Sequence, residues 1–201
     1  MVSVTITEIE VMTNGVENTS KRKRVCVVHT GAEEVFTYRR LVGYGKMDEC
    51  RYAFSEILDS RLSVQGSDLE EQRARLAERI AHEEYVLLLA GENTARLSGL
   101  GRQALLLALY MKRPIIVVNL DGCRHCDPSR LPSELDDRLI LCISSELPVL
   151  EFALDSWRDE SFRLLSMGQS HAAVYPSNLY ETLLQVSASS GDDPQANRIA
   201  L

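Results

Sequence analysis

The sequence predicts an α/β domain in which helices flank a doubly wound, parallel sheet of about five strands. Three observations carry this expectation. Arg24-Val25-Cys26-Val27-Val28-His29, Tyr85-Val86-Leu87-Leu88-Leu89-Ala90 and Pro114-Ile115-Ile116-Val117-Val118-Asn119 are short, continuous apolar runs, the pattern of strands covered on both faces. Helical periodicity fills the intervals between them, and parallel neighbours need such a crossover. The composition, 45% hydrophobic and 25% charged, is that of an ordinary globular protein with an aliphatic core.

In chain order, Val2-Ser3-Val4-Thr5-Ile6 alternates apolar and polar residues and runs towards the turn signal Asn14-Gly15. Residues 1–20 are therefore an edge strand or an arm, set before an α/β domain over 21–186 and a tail over 187–201. Lys21-Arg22-Lys23-Arg24 reads as a solvated lead-in to the first core strand. Thr30-Gly31-Ala32-Glu33-Glu34 turns into a helix carrying Val35, Tyr38, Leu41 and Val42 at helical spacing until Gly43 and Gly45 interrupt it.

A second strand falls at either Tyr52-Ala53-Phe54 or Arg61-Leu62-Ser63-Val64. Ser67-Asp68-Leu69-Glu70 is a capping box that starts a helix with Leu69, Leu76 and Ile80 as its buried stripe and Glu71 and Arg75 one turn apart on the wet face. The next helix, Leu100 to Lys112, is apolar nearly all round from Ala104 to Leu109, which predicts cover on several sides. Pro114 is tolerable at the first position of its strand, where no ladder donor is needed. Leu139-Ile140-Leu141-Cys142-Ile143 is a further strand, reached through a polar loop from Leu120 to Asp137. Helices over Leu147 to Trp157 and Asn178 to Val186 follow, then a Ser, Gly, Asp and Pro-rich tail of disordered composition from Ser187 to Leu201.

A formal net charge of −7 disfavours a dedicated nucleic-acid binder, because such binding rests on Lys and Arg displacing counterions. No stretch approaches the roughly twenty apolar residues that span a bilayer, and Met1 to Ser20 lacks a basic start followed by an apolar stretch. A cytoplasmic protein without membrane partners is the expectation. The odd count of five cysteines, with Cys26 and Cys142 inside apolar runs, predicts free buried thiols in a reducing compartment.

Open α/β sheets bind ligands at the carboxyl ends of their strands, where the strand order reverses. That places candidate ligand contacts at His29, Thr30, Gly31 and Glu33, at Gly91, Glu92, Asn93 and Thr94, and at Asn119 and Asp121. Val25-Cys26-Val27-Val28-His29, Leu87-Leu88-Leu89-Ala90-Gly91-Glu92-Asn93-Thr94 and Ala108-Leu109-Tyr110-Met111-Lys112-Arg113-Pro114-Ile115-Ile116-Val117 together resemble the TIR-like family typified by the Thoeris effector, over roughly Arg24 to Trp157. The resemblance implies a flavodoxin-like fold, NAD or a related nucleotide as ligand, self-association or a signalling partner, and a role in bacterial defence or signalling. In active members it implies cleavage or cyclisation of NAD, which needs a carboxylate beside the ribose.

Counting back from Ala108-Leu109 puts the family's Trp at Gln103 and its Glu at Ala104, and counting forward from Thr94 puts the Glu at Gln103. Neither position is an acid, and a neutral amide supplies no charge to a developing cation. A non-catalytic member with no required cofactor is therefore favoured. The alternative is an NAD glycohydrolase or cyclase with a displaced acid, Glu92 being the first candidate and Gln103 a ribose-bonding group. A third alternative is a metal or redox module on Cys123 and Cys126, whose Cys-x-x-Cys spacing lets two sulfurs meet one ion or each other. No Walker loop and no Ser, His and Asp pattern is present; Gly99-Leu100-Gly101 lacks the third glycine of the dinucleotide fingerprint.

Overall fold

The computed structural model describes residues 2–3, 22–57, 69–97 and 99–189. Seven parallel strands form one sheet: β1 (Val2–Ser3), β2 (Lys23–Val28), β3 (Tyr52–Glu56), β4 (Tyr85–Ala90), β5 (Ile115–Asn119), β6 (Leu141–Ser144) and β7 (Ala173–Val174). The helices are α1 (Ala32–Gly45), α2 (Leu69–His82), α3 (Gly99–Tyr110), α4 (Leu147–Ser166) and α5 (Ser177–Ser189).

The spatial order is β1-β7-β6-β5-β4-β2-β3. Its five longer strands, β3-β2-β4-β5-β6, follow the flavodoxin-like doubly wound order, with β3 at the edge. The chain steps outward from β2 to β3, then returns past β2 to lay down β4, β5 and β6 on the other side. The reversal lies between β2 and β4, where Val25 aligns with Tyr85 and Val28 with Leu88.

Alternation along each strand divides the core into two layers. Val25, Val27, Leu87, Leu89, Ile116, Val118, Leu141 and Ile143 pack with Leu41 of α1, with Trp157 of α4 and with Tyr180 of α5. Cys26, Val28, Val86, Leu88, Ile115 and Val117 pack with Leu76 and Ile80 of α2 and with Ala104, Leu105 and Ala108 of α3. Strands sandwiched in this way have no polar face, and β4 is buried at every position.

Several expectations are corrected. The second strand is the Tyr52 alternative, paired to β2 from Lys23↔Tyr52 to Val27↔Glu56, while Arg61 to Val64 and Ser67 with its capping box lie outside the described residues. Beyond the five strands expected, two two-residue pairings among the described residues, β1 and β7, extend one side of the sheet; they are too short to leave a periodic signal. Residues 4–20 lie outside the described residues. Helix α4 runs past Trp157 to Ser166, since Ser161 and Leu164 continue its buried stripe, and α5 takes in Ser187–Ser189 from the expected tail. Helix α3 is not covered all round: Ala104, Leu105 and Ala108 are buried, but Leu106 is 46% and Tyr110 84% exposed.

Cys142 is not a free thiol. It forms a disulfide with Cys126, across a Cα–Cα separation of 5.5 Å, whereas Cys26, Cys50 and Cys123 are free. The apolar surroundings of Cys142 concealed this, because a partner arriving from a loop leaves no mark on the strand's own sequence. Among the described residues no helix is long and apolar enough to cross a membrane.

Candidate functional site at the strand carboxyl ends

The loops leaving β2 and β4 flank the point of reversal. His29 follows β2 directly and is buried, its ring centroid 5.6 Å from that of Tyr38 on α1 and its Nε2 2.8 Å from Oε1 of Glu56 at the end of β3. That contact has ion-pair distance without hydrogen-bond alignment, so neither ring nitrogen has a hydrogen-bond partner among the described residues. His29 is thus wedged between an aromatic ring and a carboxylate at the carboxyl end of β2.

Thr30 and Gly31 turn the chain into α1, with Gly31 as its N-cap. Thr30 Oγ1 donates to Oε1 of Glu34, 2.9 Å away and one helical turn on. The buried Glu34 side chain folds back over the start of its own helix and fills the gap to the β4 loop. A Cβ on Gly91 would stand 2.4 Å from Glu34 Oε1, and one on Gly31 would stand 3.4 Å from Oε2. The positive end of the α1 dipole therefore already faces a carboxylate of the protein's own.

The Gly91-Glu92-Asn93-Thr94 turn closes on itself. Gly91 N–H donates to Thr94 Oγ1 at 2.8 Å, and that hydroxyl points to Leu89 O at 3.4 Å, so Thr94 is fully buried as a turn-closing residue. Glu92 and Asn93 are exposed on its outer side. At the end of β5 the buried Asn119 gives Nδ2–H bonds to the carbonyl oxygens of Cys123 (2.9 Å) and His125 (3.0 Å), which shapes the following loop. Asp121 accepts from Cys123 N–H and pairs with Arg130.

Of the sequence-derived candidates, Thr30, Gly31 and Gly91 meet around Glu34, while His29 contacts Tyr38 and Glu56. Thr94 and Asn119 spend their side chains on loop geometry. The Glu33 side chain lies outside the described residues. On α3, Ala104 is fully buried against the sheet, and Gln103 is half-buried with an Oε1 that has no partner among the described residues. Sequence reasoning missed Glu34 and Glu56. The signal for Glu34 was its spacing of four from Thr30 immediately after a strand, which is hydrogen-bonding distance on a helix.

Cys123 and Cys126 do not act as a pair in this state, because Cys126 is bonded to Cys142. Among the described residues, no group of three or more His, Cys, Asp or Glu side chains is placed to hold a metal ion. A pocket of about 280 Å³ lies away from the crevice, towards the start of β2 and the end of α2, lined by Arg24, Ala53, Phe54, Ser55, Arg79 and Glu83. Desolvation raises the Glu83 carboxyl above the ordinary range, against the lowering influence of Arg24 and Arg79.

No family model matches this chain, and a search of curated proteins finds no match.

Proposed function

We propose that this chain is a TIR-like signalling domain that works by associating with copies of itself or by holding a nucleotide, without cleaving it. The observation that carries the reading is Ala104. Where the resemblance implies a catalytic glutamate, the helix presents a methyl group packed in the core, and its neighbour Gln103 is neutral. An oxocarbenium-like state forming beside α3 would find no negative charge on that helix.

The crevice itself favours the ribose side of a nucleotide over its phosphates. Glu34 occupies the α1 N-terminus, the place where a phosphate would otherwise be welcomed, and Glu56 stands beside His29. Carboxylates accept bonds from ribose hydroxyls and repel phosphate oxygens. For association, the open Leu106 and Tyr110 of α3 offer apolar surface that the single chain leaves wet.

One observation favours a second reading, NAD cleavage by a displaced acid. Glu34 is a buried carboxylate at the point of strand reversal, held in place by Thr30, and it is better sited than the exposed Glu92.

Incubating the full chain with NAD and following free nicotinamide by chromatography separates the two. The first reading expects saturable binding or none, no nicotinamide, and a solution mass that falls when Leu106→Lys and Tyr110→Lys are combined. Nicotinamide release that disappears in Glu34→Gln, with the fold intact by circular dichroism, establishes the second reading instead.

A further inference from the structure

We propose that Cys123, Cys126 and Cys142 form a thiol–disulfide exchange site in which Cys123 is the attacking sulfur. The three differ in access in a way that gives each a role. Cys142 sits in β6 with no exposure, Cys126 is half-buried on the loop above it, and Cys123 is a half-buried free thiol three residues earlier. The 5.5 Å Cα–Cα separation of Cys126 and Cys142 lies in the range that a disulfide spans.

A second observation brings Cys123 into the arrangement. One amide nitrogen, Asn119 Nδ2, holds the carbonyl oxygens of both Cys123 and His125 within 3.0 Å. The chain between them is wrapped around a single donor, and the Cys123 thiol lies 3.7 Å from the carbonyl oxygen of His125, the residue before Cys126. Attack on Cys142 is blocked by its burial, which leaves the Cys126 sulfur as the electrophile.

In the exchange, the Cys123 thiol loses its proton and its sulfur attacks Sγ of Cys126. The Cys123–Cys126 bond forms as the Cys126–Cys142 bond breaks, and the electron pair leaves on the Cys142 sulfur, which takes up a proton. One disulfide and one thiol enter and one of each remain, so the step consumes neither oxidant nor reductant. Burial disfavours a thiolate at Cys142, and the resting form is accordingly Cys126–Cys142. A small dithiol drains the exchanged form by reducing Cys123–Cys126 to two thiols while closing into its own cyclic disulfide. The loop that carries Asp121 and is shaped by Asn119 is then no longer bonded to β6, so thiol chemistry reaches the edge of the strand-end crevice.

The test uses the full chain, dithiothreitol as the dithiol, and acid quenching followed by alkylation and peptide mass mapping. Tryptic cleavage after Arg124 separates Cys123 from Cys126, so the two linkages give different masses. The resting protein is expected to yield the Cys126–Cys142 linkage with Cys123 alkylated. Limiting dithiothreitol at pH 8 is expected to produce a transient Cys123–Cys126 linkage with Cys142 newly alkylated. Cys123→Ser should abolish that species and slow loss of the resting disulfide about tenfold. Cys142→Ser, if folded, should show Cys123–Cys126 directly. Five free thiols in air-oxidised protein, or a Cys123→Ser variant reduced at the wild-type rate, would overturn the proposal.

Discussion

Glu34 occupies the volume that any side chain at position 91 would need: its Oε1 lies 2.4 Å from where a Cβ on Gly91 would stand. Gly91 is therefore glycine because of a carboxylate from another element. Gly91→Ala should push Glu34 off Thr30 and cost about 1–2 kcal/mol, the size of a lost buried hydrogen bond plus mild overpacking. Combining it with Glu34→Ala should recover most of the loss beyond that of Glu34→Ala alone. Urea midpoints of the four proteins measure the coupling, and additive costs would contradict the contact.

Helices α3 and α4 end in the same way with different residues. Gln169 N–H bonds to Leu164 O while Gly168 takes a φ of 77°, and Arg113 N–H bonds to Ala108 O while Lys112 takes a φ of 53°. A lysine in the left-handed region carries a steric penalty that glycine avoids, partly offset by glycine's looser unfolded chain. Lys112→Gly should raise stability by about 0.5–1 kcal/mol, and Gly168→Ala should lower it by about 1 kcal/mol, both read from thermal unfolding.

Trp157 is the one tryptophan of the chain, fully buried, with Nε1–H donating to Ile115 O at 3.2 Å. Its fluorescence should be blue-shifted and poorly quenched by acrylamide until α4 leaves the sheet. Trp157→Phe keeps most of the buried area but loses the indole donor to the Ile115 carbonyl and leaves a small void, for an expected loss of about 1–3 kcal/mol by urea unfolding. A quenchable native tryptophan would contradict its place in the core.

The Glu83 carboxyl is buried and its proton affinity is raised, chiefly by desolvation, with Arg24 and Arg79 opposing. The folded protein then holds a proton that the unfolded chain has released, so this residue's contribution falls as pH rises from the unfolded carboxylate value through the raised folded one. Glu83→Gln, neutral throughout, should gain stability relative to the native protein as the pH rises from about 4, the unfolded carboxylate value, through the raised folded one. Parallel pH profiles for the two proteins would remove Glu83 as the cause.

Thiol reactivity should follow burial. Cys26 is fully buried, and desolvation, with a smaller push from Glu83, lifts its thiol to about 12. In the native protein at pH 8, iodoacetamide should therefore label Cys123 and spare Cys26 until denaturant is added. Early labelling of Cys26 would mean that the β2 layer opens locally.

Legibility in the sequence tracked how many residues each feature used. Strand β4 needed six consecutive apolar residues and was plain, whereas β7 needed only Ala173–Val174 and was invisible. The strand ends could be named because they follow from the strands, which is why His29, Gly91 and Asn119 were found. What their side chains do was not legible, since Thr94 and Asn119 look like ligand groups until their bonds to Gly91 N–H and to the Cys123 and His125 carbonyls are seen. The Cys126–Cys142 bond and the Glu34–Gly91 contact stayed hidden for the same reason: each joins elements distant in sequence, and no local pattern encodes a partner.

The pairing of Val2 with Ala173 sets an order of events on the ribosome. Val2 and Ser3 can take their place in the sheet only after α4 and β7 have been synthesised, and from the emergence of β6 until β7 arrives the outer side of β6 stays bare. During that interval the nascent chain carries an open apolar strand margin, and its crowding with neighbouring chains is the moment at which this protein is most exposed to mispairing.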